Sequence, residues 1–139
     1  MSKNVLKLEF SFYMLDSKRG KKLKMDNCIF CKIINRDIPS TIVYEDEKVI
    51  AFNDVNPAAP IHILVVTKKH IETLLDVLEE DSSLIAHIYN VINKIAREKG
   101  FAENGFRVIA NCGKDSGQEV MHIHFHVLAG RTLGPKIVG

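Results

Sequence analysis

His122-Ile123-His124-Phe125-His126-Val127-Leu128 alternates an imidazole with an apolar side chain along its length. An extended chain sends successive side chains to opposite faces. The three histidines therefore share one face at intervals of about 6.7 Å, and Ile123, Phe125 and Val127 enter a core on the other. The segment reads as the last strand of a sheet. Phe106–Ala110 reads as another strand, joined to it through the polar loop Asn111–Gly117. Earlier, Thr41-Ile42-Val43-Tyr44 and Val49-Ile50-Ala51-Phe52 flank Glu45-Asp46-Glu47-Lys48 as a hairpin, and Ile61–Thr67 is apolar enough to be covered on both faces. Asn56-Pro57-Ala58-Ala59-Pro60 must be a loop, because neither element tolerates two prolines so close together.

The helical signals are fewer. Phe30–Ile34 predicts a short turn that stops before Pro39, and residues 71–80 predict a second short helix. Leu84, Ile85, Ile88, Val91, Ile92 and Ile95 repeat at helical spacing, with Ser82-Ser83 as the expected cap and Gly100 as a left-handed stop. Strands dominate, most connections are short, and one long helix crosses between them. The expected fold class is α+β, with a mainly antiparallel five-stranded sheet, one long helix and one or two short ones.

At 139 residues the chain is long enough for one domain with its own core, and 46% hydrophobic with 26% charged residues is ordinary globular composition. No apolar run approaches the roughly 20 residues that span a bilayer. Three cysteines cannot close a disulfide set, so they are expected to be thiols in a cytoplasmic protein. The net charge of +2 is unevenly spread. Residues 1–24 hold seven basic and two acidic side chains, which leaves a net −3 on residues 25–139. A basic terminus suggests nucleic acid, a membrane surface or a targeting peptide. Glu9 is out of place in a secretory core, and a transit peptide should be richer in arginine than a segment whose only arginine is Arg19. Residues 1–24 are accordingly expected to be a tail, or to precede the true start, with a single domain over 25–139 and neither nucleic acid nor membrane as partner.

Three imidazoles in a row admit three readings: the wet face of a sheet, a metal tripod, or phosphoryl chemistry with a neutral imidazole as nucleophile. The glycine-containing loop Asn111-Cys112-Gly113-Lys114-Asp115-Ser116-Gly117-Gln118-Glu119 lies immediately upstream and can supply backbone N–H groups to an anion, which favours the third. Cys28-x-x-Cys31 has the spacing of a zinc knuckle and also of a redox pair. No thioredoxin-like βαβ pattern surrounds it, and metal is the favoured use.

The histidine run matches the signature His-φ-His-φ-His-φ-φ, with φ apolar, and here the chain resembles the histidine-triad family. Cys28–Ile34, Ile38-Pro39, Tyr44-Glu45-Asp46, Ala51-Phe52, Pro60-Ile61-His62 and Lys68-Lys69-His70-Ile71 extend the likeness over about residues 27–134. His126 at the third position, rather than Gln, points away from the nucleotidylyltransferase branch. The Cys-x-x-Cys start and Gly117-Gln118-Glu119 look most like the Hint branch, the purine nucleoside phosphoramidases.

That resemblance implies a homodimeric hydrolase acting on purine nucleoside 5′-phosphoramidates through a nucleotidyl-histidine intermediate and releasing AMP or GMP. It implies His124 as nucleophile, His126 as the residue that contacts phosphate and orients it, and His62 as a fourth active-site histidine. Asn111, Gly117, Gln118 and Glu119 fall on the phosphate side, Asp54 on the ribose hydroxyls and Val55 beside the base. Cys28, Cys31, His70 and His122 would bind a structural zinc ion, and no catalytic metal is required. Glu119 stands where many relatives carry a serine that helps protonate the leaving amine, so the resemblance does not name that acid. The alternatives are a dinucleoside polyphosphate hydrolase using the same His124, or a nucleotide-binding or zinc-stabilised scaffold without turnover.

Overall fold

The computed structural model describes residues 25–135 and residue 137; expectations about residues 1–24 lie outside these. The elements are α1 (Ile29–Ile34), β1 (Ile42–Glu45), β2 (Val49–Asn53), β3 (Ile61–Thr67), α2 (Ser82–Lys99), β4 (Arg107–Ala110) and β5 (His124–Ala129). The five strands form one sheet in the order β1-β2-β3-β5-β4, every neighbouring pair antiparallel. The α+β expectation is met. Among the described residues, no helix is long and apolar enough to cross a membrane.

Strand alternation divides the interior in two. Val49 and Ala51 of β2, Ile63 and Val65 of β3, and Phe125 and Val127 of β5 face α2, meeting Ile88, Ile92 and Ile95. The other face puts Ile50, Phe52, Leu64 and Val66 against Cys28, Phe30, Cys31 and Ile33 around α1. His124 and His126 stand on that second face, paired across the ladder with Val66 and Leu64. The long helix thus anchors the back of the sheet, and the short one builds the functional side. Gly100 ends α2 with a φ of 82°, and the Phe101 N–H returns to the Ala96 carbonyl, as its position predicts.

Three local expectations are corrected. Residues 71–80 do not form a short α-helix; single 3₁₀ turns lie at Leu74–Asp76 and Glu79–Asp81. The Asp76 carboxylate accepts the Thr73 N–H and hydroxyl, closing the first turn on itself rather than propagating it. Ser82 is the first residue of α2, not its cap, and the cap position falls on Asp81. The Asp81 carboxylate binds Lys69 Nζ at 2.7 Å and makes no hydrogen bond to the helix. Finally, β5 starts at His124 rather than His122. Thr67–Ile71 holds the two preceding residues instead: Ile123 N–H bonds the Ile71 carbonyl at 2.8 Å, and the His122 ring reaches the Thr67 carbonyl at 2.7 Å.

Asp46 ties the β1–β2 turn to α2. It accepts the Lys48 and Val49 amides and the Tyr44 hydroxyl, and its Oδ2 lies 2.6 Å from His87 Nε2 on α2. Burial opposes ionisation, yet the two amides, His87 and Tyr44 together hold this carboxyl well below the usual carboxylate range. Its folded pKa is thus below the unfolded value of about 3.9, so its stabilisation is complete above that pH and lost as pH falls. Asp46→Asn is expected to cost about 1–2 kcal/mol at pH 7, since solvent screens a part-exposed carboxylate. Urea melts at pH 7 and pH 3 check this; a cost as large at pH 3 as at pH 7 overturns it.

Candidate active site and metal centre

A cavity of about 540 Å³ opens on the α1 face of the sheet. Ile29, Phe30, Ile33, Ile38, Phe52 and Leu64 give it an apolar wall, and Asp54, Val55, Asn111, Gly117, Glu119, His124 and His126 also line it. Size and lining suit a flat aromatic group with a polar appendage. Ser40, Asn53 and Asn56 line it too and were not singled out from the sequence. Phe30, between the two cysteines, meets His124 edge-on at 5.0 Å between ring centres and His122 at 5.9 Å.

Backbone groups fix the protons on the histidine rings. His124 Nδ1 lies 2.7 Å from the His122 carbonyl. A carbonyl can only accept, so Nδ1 carries a hydrogen, and in the neutral ring Nε2 is the nitrogen with the lone pair. The Ala58 N–H donates to His62 Nδ1 at 3.0 Å, which leaves the proton on His62 Nε2. That nitrogen is 2.9 Å from His126 Nδ1 and 3.4 Å from Asp54 Oδ2. His126 Nδ1 therefore accepts, and neutral His126 bears its hydrogen on Nε2. Burial, with His124 and His62 alongside, pushes His126 down to about 4, so it is neutral at pH 7. The lone pair of a neutral His124 ring and the His126 N–H thus stand on adjacent outward positions of β5, the ring centres 5.1 Å apart.

His62 and Gln118 do not line the cavity. His62 is buried behind His126. The Gln118 side chain turns inward, accepting the Gly113 amide and donating to the Glu72 and Val120 carbonyls. The amides of Gly117 and Gln118 bond the Lys114 and Gly113 carbonyls within their own turn. The loop is thereby braced, with Gly117 and Glu119 presented to the cavity.

Cys28, Cys31, His70 and His122 form a second cluster behind the first, their ligand atoms all within 4.8 Å of one another. His122 Nδ1 lies 3.3 Å from Cys28 Sγ, 3.6 Å from Cys31 Sγ and 3.1 Å from His70 Nδ1. Cys31 Sγ is 3.2 Å from His70 Nδ1. His122 Nε2 donates to the Thr67 carbonyl, so its Nδ1 lone pair points at the thiols. Two thiols and two imidazoles converging in this way form a candidate metal site. Cys112 is not part of it.

Comparisons with known proteins agree with the fold. A family model described as the scavenger mRNA decapping enzyme C-terminal binding domain matches residues 27–136. The chain is 47% identical over 112 residues to the purine nucleoside phosphoramidase of Escherichia coli K12, covering 81% of this chain and 94% of that protein. A histidine triad protein from Clostridium difficile superimposes with a TM-score of 0.78 at 60% identity, over 79% of this chain and 96% of that one. A HIT family hydrolase from Clostridium thermocellum gives 0.79 at 50% identity, over 81% and 97%.

Proposed function

The chain belongs to the histidine-triad (HIT) family, and from that premise we propose that it hydrolyses purine nucleoside 5′-phosphoramidates at the P–N bond. The observation that carries this reading is the His124 ring, which lines the cavity and is held through Nδ1 by the His122 carbonyl, so that in the neutral ring Nε2 is the nitrogen left to attack. In the proposed reaction Nε2 attacks the α-phosphorus. The P–N bond breaks, the amine leaves with a proton taken from solvent and given back when water later attacks, and a nucleotidyl-His124 forms. Water then attacks the same phosphorus, the P–Nε2 bond breaks, and the nucleoside monophosphate departs. His126 Nε2–H is the donor for the phosphoryl oxygen that gains charge. His62, fixed by Ala58, keeps that hydrogen on the correct nitrogen of His126. Asp54 and Val55 are proposed to hold the ribose and flank the base, and Asn111, Gly117, Gln118 and Glu119 to frame the phosphate, Gln118 by bracing the loop.

The dinucleoside polyphosphate alternative uses the same nucleophile but brings more negative charge. Among the described residues, neither lysine nor arginine lines the cavity, which favours a singly charged phosphoryl group. The test is AMP release from adenosine 5′-phosphoramidate and from diadenosine polyphosphate. The expected kcat/KM is at least about tenfold higher for the phosphoramidate, a difference of about 1.4 kcal/mol in transition-state binding. A preference for the polyphosphate overturns this choice, and AMP binding without turnover of either substrate favours the scaffold.

The same reading assigns zinc to the Cys28, Cys31, His70 and His122 cluster. Tetrahedral zinc with bonds of about 2.0 Å to nitrogen and 2.3 Å to sulfur needs ligand separations of roughly 3.3–3.8 Å. Four of the six separations lie between 3.1 and 3.6 Å, and all are within 4.8 Å, so modest adjustment would close the tetrahedron. Bound there, zinc supplies structural cross-linking. A homodimer is part of this proposal, as is a cytoplasmic setting suited to reduced Cys28 and Cys31.

A further inference from the structure

Glu119 carries a negative charge into a cavity proposed to receive an anion. It is exposed, it lines the cavity, and it makes no hydrogen bond or ion pair with any described residue. The other lining carboxylate, Asp54, is engaged: Oδ1 accepts the Asn56 amide, and Oδ2 faces His62. Lys114 belongs to the same loop but does not line the cavity. Glu119 follows the Gly117-Gln118 turn and precedes the histidine run. Ala110, next to Asn111, pairs with Phe125 of β5, and Asn111, Glu119 and His124 line the same cavity.

On the phosphoramidase reading, with base and ribose at the Val55 end, the Glu119 carboxylate is left for the part of the cavity that receives the leaving amine. An unpaired charge at a reaction centre costs affinity for an anion unless the substrate brings a countercharge. Resting on the phosphoramidase reading, we propose that Glu119 is a specificity-determining residue that selects phosphoramidates whose leaving amine carries a second, protonated amino group. The recognition is a charge-assisted hydrogen bond from that ammonium to the Glu119 carboxylate, formed in a partly exposed setting and therefore modest in size.

The test uses a matched pair, the adenosine 5′-phosphoramidates of butylamine and of 1,3-diaminopropane linked through one nitrogen. They have the same number of heavy atoms in the leaving group and differ by one positive charge. In the wild-type protein the ratio of kcat/KM, diamine over butylamine, is expected to be about three to five at low salt. It should shrink toward one in 0.5 M NaCl as the pair is screened. Glu119→Gln should bring the ratio to about one, and Glu119→Lys should invert it, whatever either substitution does to the absolute rates. A wild-type ratio near one, or a ratio that survives in Glu119→Gln, overturns the proposal. Failure of wild type to release AMP from either substrate overturns the phosphoramidase reading, and this inference with it.

Discussion

His124→Ala is expected to lower turnover of an adenosine phosphoramidate by at least about 10³-fold while leaving AMP affinity within about threefold of wild type. The asymmetry follows from geometry. His124 contributes one reactive nitrogen to a cavity whose remaining walls, from Phe30 and Ile33 to Phe52 and Leu64, are built by other elements. On the proposed reading, removing the ring takes away the bond-forming atom and leaves the surfaces proposed to hold base and ribose. The ring sits on a β5 position whose backbone pairs with Val66, so the ladder survives the substitution. Rapid quenching followed by mass spectrometry should find a nucleotide adduct on the wild-type protein and none on the variant. A His124→Ala protein that still turns over within tenfold of wild type would place the nucleophile elsewhere.

The neighbouring histidines should behave differently, and the hydrogen-bond chain says how. In the proposed mechanism His126 is a donor and His62 sets its tautomer, so the second depends on a peptide N–H at Ala58. That dependence was not visible in the sequence, where Ala58 is only a small residue between two prolines. The alternation of His124, Phe125, His126 and Val127 was visible, because period two is the one regularity a strand imposes on side chains. His122 fits the same alternation but lies ahead of the strand. Its place is set by the Thr67 carbonyl and by the thiols on α1, contacts that cross 55 and 94 residues of chain. The Cys-x-x-Cys spacing announces two candidate ligands; the resemblance, not the spacing, supplies His70 and His122 as the other two. The 3₁₀ turns after His70 were misread for a related reason. Their residues suit a helix locally, and the Asp76 carboxylate closes the first turn on Thr73 instead.

Loss of the metal cluster should be felt first as stability and then as substrate affinity. The α1 helix has six residues, too few to persist on propensity alone. It is held by the burial of Phe30 and Ile33 and by Cys28 and Cys31 facing His70 and His122. An ion bridging Cys28 to His122 would close a loop of more than ninety residues and remove chain entropy from the unfolded state. Cys31→Ser, or exhaustive chelation of the wild-type protein, is expected to cost about 3 kcal/mol, or roughly 10 °C in Tm for a domain of this size. Because α1 also supplies Ile29, Phe30 and Ile33 to the cavity, loosening it should raise KM for the nucleotide more than it lowers kcat. The His122 carbonyl that holds His124 is part of the strand approach and stays tied through Ile123 to Ile71, which preserves the nucleophile. Metal analysis should find about one equivalent of zinc in the wild-type protein and less than about 0.2 in the variant. If chelated and zinc-loaded wild type melt within 2 °C of each other, α1 is held by its apolar contacts alone, and the four ligands have no part in shaping the cavity.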